Sequence, residues 1–226
     1  MDAWMLRVHR LGLTDYGQAS HFQDRLLEAR LREEIPDTLV LLEHPPTLTL
    51  GREDDGRHLL VDREALTRQG ITLVATDRGG SITWHGPGQV VGYPIIDLKR
   101  RGSDIKKYIH DLEEVLLLAL SDFGLSAGRD DDHVGVWVGS DKIAAIGVRV
   151  KRGVTKHGFA LNVNNDLAAF SLINPCGIVD RGVTSMAKLL ERNVFLDAVR
   201  DRIEIRFAEA FGLTLDDSPP GDCPAP

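Results

Sequence analysis

Residues 77–98 read DRGGSITWHGPGQVVGYPIIDL, a stretch in which glycines and prolines interrupt strand-forming residues. Glycine lets the backbone come close to another chain or a ligand, and it weakens a strand where nothing uses that freedom. The polar side chains of Arg78, His85 and Gln89 alternate with these glycines. Two interpretations are open, a set of tight hairpin turns or the rigid, backbone-lined wall of a pocket, and we favour the wall. The spacing matches neither a dinucleotide-binding G-x-G-x-x-G motif nor a P-loop.

Hydrophobic periodicity on both sides of this stretch predicts an α+β fold. The longest helix is predicted at 104–123, with Ser103 as its cap, and Thr14 or Asp15 caps another at 16–34. Because short strands cluster in the middle of the sequence without a repeating βα pattern, we expect a mixed, largely antiparallel central sheet flanked by helices. The remaining helices are predicted at 63–69, 184–190 and 196–211, and the strands at 5–11, 38–44, 47–51, 71–76, 81–84, 89–94, 134–138, 142–150 and 154–163.

The composition is that of a globular enzyme, with 226 residues, 42% hydrophobic and 27% charged, and a formal net charge of −7. The acidic balance argues against general nucleic-acid binding, and no apolar run predicts a secretory signal or a membrane span. Cys176 and Cys223 lie far apart, so we expect no disulfide framework and a reduced, cytoplasmic protein. We expect residues 1–216 to form one domain and the Pro-rich residues 217–226 to be a disordered tail.

Three further segments hold reactive side chains. Lys142 opens KIAAIGVRV, His157 opens HGFALNV, and Cys176 stands between Pro175 and Gly177. On the residues alone, Lys142 is a solvated lysine or a proton acceptor beside an apolar surface, and Cys176 is an inert thiol or a nucleophile. His157 and Cys176 would suit a cysteine hydrolase, although spacing identifies no third orienting residue. The cysteines and histidines lack paired ligand spacing, so we expect no metal site.

Taken together, four segments resemble the lipoyl(octanoyl) transferase family, the octanoyl-carrier-protein:protein octanoyltransferases of lipoate biosynthesis. They are RGGSITWHGPGQVVGYPIIDL at 78–98, KIAAIGVRV at 142–150, HGFALNV at 157–163 and PCGI at 175–178. Trp84 stands where many members have tyrosine. The resemblance implies the fold of biotin and lipoate protein ligases, with an acyl chain in a tunnel on a mixed sheet.

The resemblance also implies the site residues. Its catalytic pair falls on Cys176 and Lys142, and His157 is a possible accessory residue. We expect no cofactor, neither ATP nor a metal, because the acyl group arrives on the phosphopantetheine of acyl carrier protein. The implied substrate-binding residues are Arg78, Gly79, Gly80, Ser81, Ile82, Thr83, Trp84, His85, Ala145, Ile146, Gly147, Gly158, Phe159 and Ala160.

The implied reaction moves an octanoyl or lipoyl group from acyl carrier protein to a specific lysine, through a thioester on Cys176. The acceptors are lipoyl domains of 2-oxoacid dehydrogenase complexes and the glycine cleavage H protein. Lys142 would lower the pKa of the Cys176 thiol and later take a proton from the acceptor amine. The basic stretches 99–107 and 149–157 are candidate docking faces for acidic partners. We expect a monomer that binds neither nucleic acid nor membrane.

Other functions remain open at this point. One is an ATP-dependent lipoate or biotin ligase, which forms an adenylate and needs no nucleophilic cysteine. Another is a non-catalytic module that binds carrier protein, with Cys176 inert. A third is a cysteine hydrolase that releases free octanoate. The donors for the reaction's oxyanion also stay open among His85, His157 and the backbone near Gly79 or Gly158.

Overall fold

The computed structural model describes residues 4–174 and 181–216. Its helices are α1 (Tyr16–Leu31), α2 (Arg63–Arg68), α3 (Ile105–Ser121), α4 (Met186–Leu190) and α5 (Leu196–Phe211), with 3-10 turns at Leu98–Arg101 and Ala168–Leu172. The strands are β1 (Met5–Leu13), β2 (Asp37–Glu43), β3 (Thr47–Leu50), β4 (Thr72–Ala75), β5 (Thr83–His85), β6 (Gln89–Ile95), β7 (Val136–Val138), β8 (Asp141–Lys151), β9 (Val154–Asn162) and β10 (Thr214–Leu215).

The described strands form a large and a small sheet. The large sheet has the order β10-β1-β2-β6-β9-β8-β7, parallel from β10 to β2 and antiparallel from β2 onward. The small sheet has the order β4-β3-β5. The predicted α+β class with a mixed, mostly antiparallel sheet is confirmed. The prediction of a single domain over 1–216 stays a prediction, and the tail at 217–226 lies outside the described residues.

Helices cover both faces of the large sheet. Leu39 and Leu41 of β2 belong to the core under α3 and α5, whereas Val40 and Leu42 belong to the core under α1. Successive side chains of a strand point to opposite faces. Strand β2 therefore reads as a continuous hydrophobic run rather than an alternating one, because both of its faces are buried.

The capping residues differ partly from the prediction. Asp15 caps α1 by accepting hydrogen bonds from the N–H groups of Gly17 and Gln18 at 2.8 and 3.2 Å. Helix α3 is capped by Asp104, not by the predicted Ser103. Ser103 has a φ of 57°, in the left-handed region, and its N–H donates to the carbonyl of Leu98, the first residue of the preceding 3-10 turn. Ser103 therefore closes one turn, and Asp104 begins the next helix.

Candidate functional site

A cavity of about 500 Å³ lies against strands β8 and β9. Lys142 stands at one end of its β8 wall, and His157 lies beside Val148, farther along the same strand pair. The cavity brings together nearly all predicted site residues that the structure describes: Arg78, Gly79, Gly80, Ser81, Ile82, Thr83, His85, Lys142, Ala145, Ile146, Gly147, His157, Gly158, Phe159 and Ala160.

Trp84 is not among the residues that line this cavity. It is buried in a separate apolar cluster with Leu48 and Leu66 beneath the small sheet. Its neighbours in β5, Thr83 and His85, do line the cavity. Because side chains alternate along a strand, Thr83 and His85 point to one face of β5 and Trp84 points to the other.

The loop at 78–81 forms a backbone wall of the cavity, as the sequence predicted. The Gly79 N–H donates to the carbonyl of Val148 in β8 at 3.0 Å. A Cβ atom at Gly147 would lie 3.0 Å from the Gly79 carbonyl oxygen, and a Cβ at Gly51 would collide with the Gly80 carbonyl. Glycines on both sides of the loop therefore allow it to fit between β8 and the end of β3.

The guanidinium of Arg78 is held beneath this loop. The side chain is only 8% exposed. Its Nη2 donates to the carbonyl and hydroxyl oxygens of Thr49 at 2.7 and 2.9 Å, and its Nη1 donates to the Gly79 carbonyl at 3.1 Å. Arg78 thus supplies a fixed positive charge to the cavity lining and also holds the loop in its shape.

Lys142 lies where β8 meets the chain at 181–184. Its backbone N–H donates to the Gly182 carbonyl, and its own carbonyl accepts from Thr184, both at 3.0 Å. Its Nζ donates to the Val134 carbonyl at 3.3 Å and lies 4.6 Å from the centre of the Trp137 ring. The ammonium is therefore directed by a carbonyl and an aromatic face at the edge of the cavity.

The family model of the lipoyl protein ligase A/B catalytic domain matches residues 15–208. The octanoyltransferase of Caldicellulosiruptor bescii is 46% identical over 212 residues, which cover 93% of this chain and 93% of that protein. The octanoyltransferase of Alkaliphilus metalliredigens is 47% identical over 211 residues, covering 93% and 97%. The chain belongs to the octanoyltransferase family. Its members are acyltransferases, and the resemblance seen in the sequence is confirmed.

Solved structures place this octanoyltransferase-family chain among the lipoate and biotin ligase folds. A putative lipoate protein ligase from T. acidophilum with bound lipoic acid has a TM-score of 0.75 at 20% identity, covering 93% of this chain and 87% of that one. A biotin protein ligase from Aquifex aeolicus has a TM-score of 0.53 at 12% identity, covering 92% and 70%. The predicted fold is confirmed.

Cys176, which the resemblance assigns as the nucleophile of an octanoyltransferase, lies outside the described residues. The chain on either side of residues 175–180 is held by backbone contacts. Before it, the Asn174 N–H donates to the His58 carbonyl at 2.8 Å. After it, Val183 pairs with Lys142. The role of Cys176 stays a prediction.

A buried chain of hydrogen bonds, which sequence reasoning missed, links three residues that line the cavity of this family member. His85 Nδ1–H donates to the Gln89 oxygen at 2.9 Å, and Gln89 Nε2 donates to the Asn162 oxygen at 2.9 Å. Asn162 Nδ2 then donates to the Thr184 carbonyl at 3.1 Å. Burial lowers the pKa of His85 well below its usual range, so His85 is neutral. Gln89 and Asn162 lie inside the recognised motifs, which was the available signal.

Two tyrosines and a histidine were also missed. Tyr16 and Tyr93 line the cavity, and His44 lies behind them. His44 Nδ1–H donates to the Thr14 carbonyl at 2.7 Å, so its Nε2 accepts from the Tyr93 hydroxyl at 2.7 Å. Burial lowers the pKa of His44 to about 4, although the bond to Thr14 opposes this. His44 is therefore a neutral acceptor that orients Tyr93.

His157 is oriented by a carboxylate. Its φ of 60° lies in the left-handed region, and its ring is buried, with Nε2–H donating to Asp77 at 2.6 Å. Burial lowers its pKa to about 4, and the bond to Asp77 opposes that shift. Because His157 Nε2–H, His85 Nδ1–H and Gly79 N–H all have protein acceptors, these three candidate oxyanion donors are already engaged.

Residues 4–174 and 181–216 lack two features, a bilayer-spanning helix and a cluster of metal ligands. No helix in these ranges combines the length and the hydropathy that a bilayer span requires. Over the same described ranges, no group of three or more His, Cys, Asp or Glu side chains is arranged to hold a metal ion.

Proposed function

We propose that the chain transfers an octanoyl group from acyl carrier protein to a specific lysine of a lipoyl domain, through a thioester on Cys176. The observation that carries this proposal is the position of Lys142 at the end of the cavity, paired through its backbone with Gly182 and Thr184. Cys176 stands only a few residues before Gly182 in the sequence. The names of the relatives and the family model support the same activity.

The acyl group would lie along the β8–β9 wall. Ala145, Gly147, Gly158 and Ala160 line the cavity with small side chains or none. A Cβ atom at Gly158 would collide with the carbonyl of Gly92, so the strands there pack too closely for any side chain. These small residues leave room for a medium-length alkyl chain along the wall. Burying each of its methylene groups there would be favourable by about 0.8 kcal/mol.

The octanoyl group moves in two steps, first from the carrier protein to Cys176 and then from Cys176 to the acceptor lysine. In the first, the Cys176 thiolate attacks the donor thioester carbonyl, a new thioester forms, and the carrier thiolate leaves and takes a proton from the Lys142 ammonium. In the second, the acceptor lysine amine attacks the acyl-enzyme, an amide forms, and the Cys176 thiolate leaves while Lys142 takes the amine proton. Exchange of one thioester for another costs little, so the first step needs no ATP.

The proposed protein partners are octanoyl-acyl carrier protein and a lipoyl domain. The basic stretches that suggested docking faces are largely paired with acidic neighbours. Arg152 binds Glu28 at 2.7 Å, Lys156 binds Asp24 at 2.6 Å, and Lys107 binds Asp111 at 2.6 Å. Because acidic neighbours already neutralise these basic side chains, charge alone gives little reason to place partner docking at 99–107 and 149–157. The proposed partners follow from the activity and not from these stretches.

The test is a steady-state transfer assay with octanoyl-acyl carrier protein as donor and an isolated lipoyl domain as acceptor. Cys176→Ala should show no transfer, and the matched variant Cys223→Ala should transfer like wild type. Activity in Cys176→Ala would overturn the covalent mechanism. Acceptor octanoylation from free octanoate and ATP would instead identify an adenylating ligase, and release of octanoate faster than transfer would identify a hydrolase.

A second pair of variants tests Lys142 in the same assay. Lys142→Ala should slow the transfer without unfolding the protein, because a proton acceptor is lost. Lys142→Arg should not restore the rate, since arginine keeps its proton throughout the physiological range. Full activity of Lys142→Arg would show that only a positive charge is needed at this position.

A further inference from the structure

The carboxylate of Asp54 lies just outside the cavity wall with its side chain fully buried. Its Oδ2 accepts the hydroxyl of Ser81, the ring Nδ1–H of His58 at 2.8 Å and the N–H of Ile82 at 3.0 Å. Its Oδ1 accepts the N–H of Gly56 at 2.8 Å. Burial raises the pKa of Asp54, but the bonds from Ser81 and His58 outweigh it and bring the pKa to about 2.

These contacts join parts of the chain that are distant in sequence. Asp54, Gly56 and His58 belong to the loop after β3, and Ser81 and Ile82 belong to the wall of the cavity. A carboxylate that accepts several donors on two loops fixes the distance between them, because a displacement of either loop leaves a buried charge with fewer partners.

The same loop also holds the chain that leads toward Cys176. The Asn174 N–H donates to the His58 carbonyl at 2.8 Å, and the Leu60 N–H donates to the Leu172 carbonyl at 2.9 Å. Leu59 and Ile173 pair as an antiparallel bridge between these two bonds. A continuous path of contacts therefore runs from Ser81 in the cavity wall, through Asp54 and His58, to Asn174.

We propose that Asp54 is a positioning residue for acyl transfer, which sets the acyl-binding wall at Ser81 against the chain at Asn174. This inference rests on the proposed function, because it assigns Asp54 an effect on the reaction of Cys176. Asp54 touches neither substrate nor the reacting atoms in this role and acts through Ser81 and His58. Groups held in productive geometry by such supporting contacts lose activity when the supports are removed.

Asp54→Asn is the direct test, because the amide keeps the shape but places a donor where the carboxylate accepts from donors. The matched control is Asp62→Asn, since the Asp62 carboxylate caps α2 by accepting the N–H of Ala65 at 2.6 Å and takes no part in the Ser81–His58 network. We expect Asp54→Asn to lower kcat and the single-turnover rate of Cys176 acylation by about 10- to 100-fold, as a misplacement near 1 Å does. KM for octanoyl-acyl carrier protein should change much less, and Asp62→Asn should retain the wild-type kcat.

If Asp54→Asn is unfolded at the assay temperature, the Ser81→Ala variant is measured in its place. It removes one donor and should lower the acylation rate in the same direction. Because both substitutions break one network, the double variant should lose less than the product of the two single losses. Acylation rates in folded Asp54→Asn and Ser81→Ala equal to that of Asp62→Asn would overturn the inference while leaving the Cys176 mechanism intact. Transfer by Cys176→Ala would instead overturn the proposed function.

Discussion

The buried histidine His44 makes the stability of the fold sensitive to acid. Its ring is 0% exposed, and burial lowers its pKa from 6.5 to about 4. Well above pH 6.5 both the folded and the unfolded chain keep this ring neutral. As the pH falls toward 4, the unfolded chain binds a proton that the folded chain excludes, so the free energy of unfolding decreases. Lowering the pH from 7 to 5 should cost about 2 kcal/mol through His44 alone.

The assay is urea denaturation of wild type and His44→Gln at pH 7 and at pH 5, followed by tryptophan fluorescence. Glutamine can donate to Thr14 and accept from Tyr93, so the variant keeps the local bonds without the titration. The pH-induced loss of stability should be smaller in His44→Gln than in wild type by about 2 kcal/mol. The exposed His21 offers a control, and His21→Gln should lose as much as wild type. Equal losses in His44→Gln and wild type would refute the reasoning.

Three other substitutions test the remaining contacts. Asn162→Ala breaks the bonds to Gln89 and Thr184, so kcat in the transfer assay should fall at temperatures where circular dichroism shows a folded protein; an unchanged kcat would contradict a role for this chain of bonds. Gly147→Ala places a Cβ atom 3.0 Å from the Gly79 carbonyl oxygen and should raise KM for octanoyl-acyl carrier protein, which unchanged steady-state kinetics would disprove. Asp15→Ala removes the α1 cap and should lower the free energy of unfolding by about 1 kcal/mol in urea, with transfer unaffected.

Short-range patterns of hydrophobic and turn-forming residues predict many of the helices and strands. Helix α5 has the bounds that its sequence predicts, and the strands predicted at 134–138 and 142–150 pair as the hairpin of β7 and β8. Strand β10 was missed because two residues carry no periodicity, and it forms only by pairing with Met5 and Leu6 of β1. The order of the strands depends on contacts between distant segments, which hydrophobic periodicity does not report.

The candidate site was predictable mainly where a motif marks it. The glycine-rich wall and Lys142 were predicted from their motifs and line one cavity. Trp84 belongs to the same motif but faces away, because strand alternation within β5 decides its direction. Tyr16 lies on a helix with no marker in its local sequence, and it reaches the cavity only because α1 packs on the sheet. The hydrogen bond from Ser81 to Asp54 joins positions that are 27 residues apart, and local sequence patterns do not predict such a contact.

Intact mass spectrometry of the wild-type protein, incubated with octanoyl-acyl carrier protein and no acceptor, tests the central claim most directly. A thioester on Cys176 predicts that the protein gains the mass of one octanoyl group in place of one hydrogen, that peptide mapping places it on Cys176, and that adding a lipoyl domain removes it. Cys223→Ala should gain the same mass, and Cys176→Ala should not. A wild-type protein that transfers octanoyl to the lipoyl domain without carrying this adduct on Cys176 would contradict the covalent mechanism.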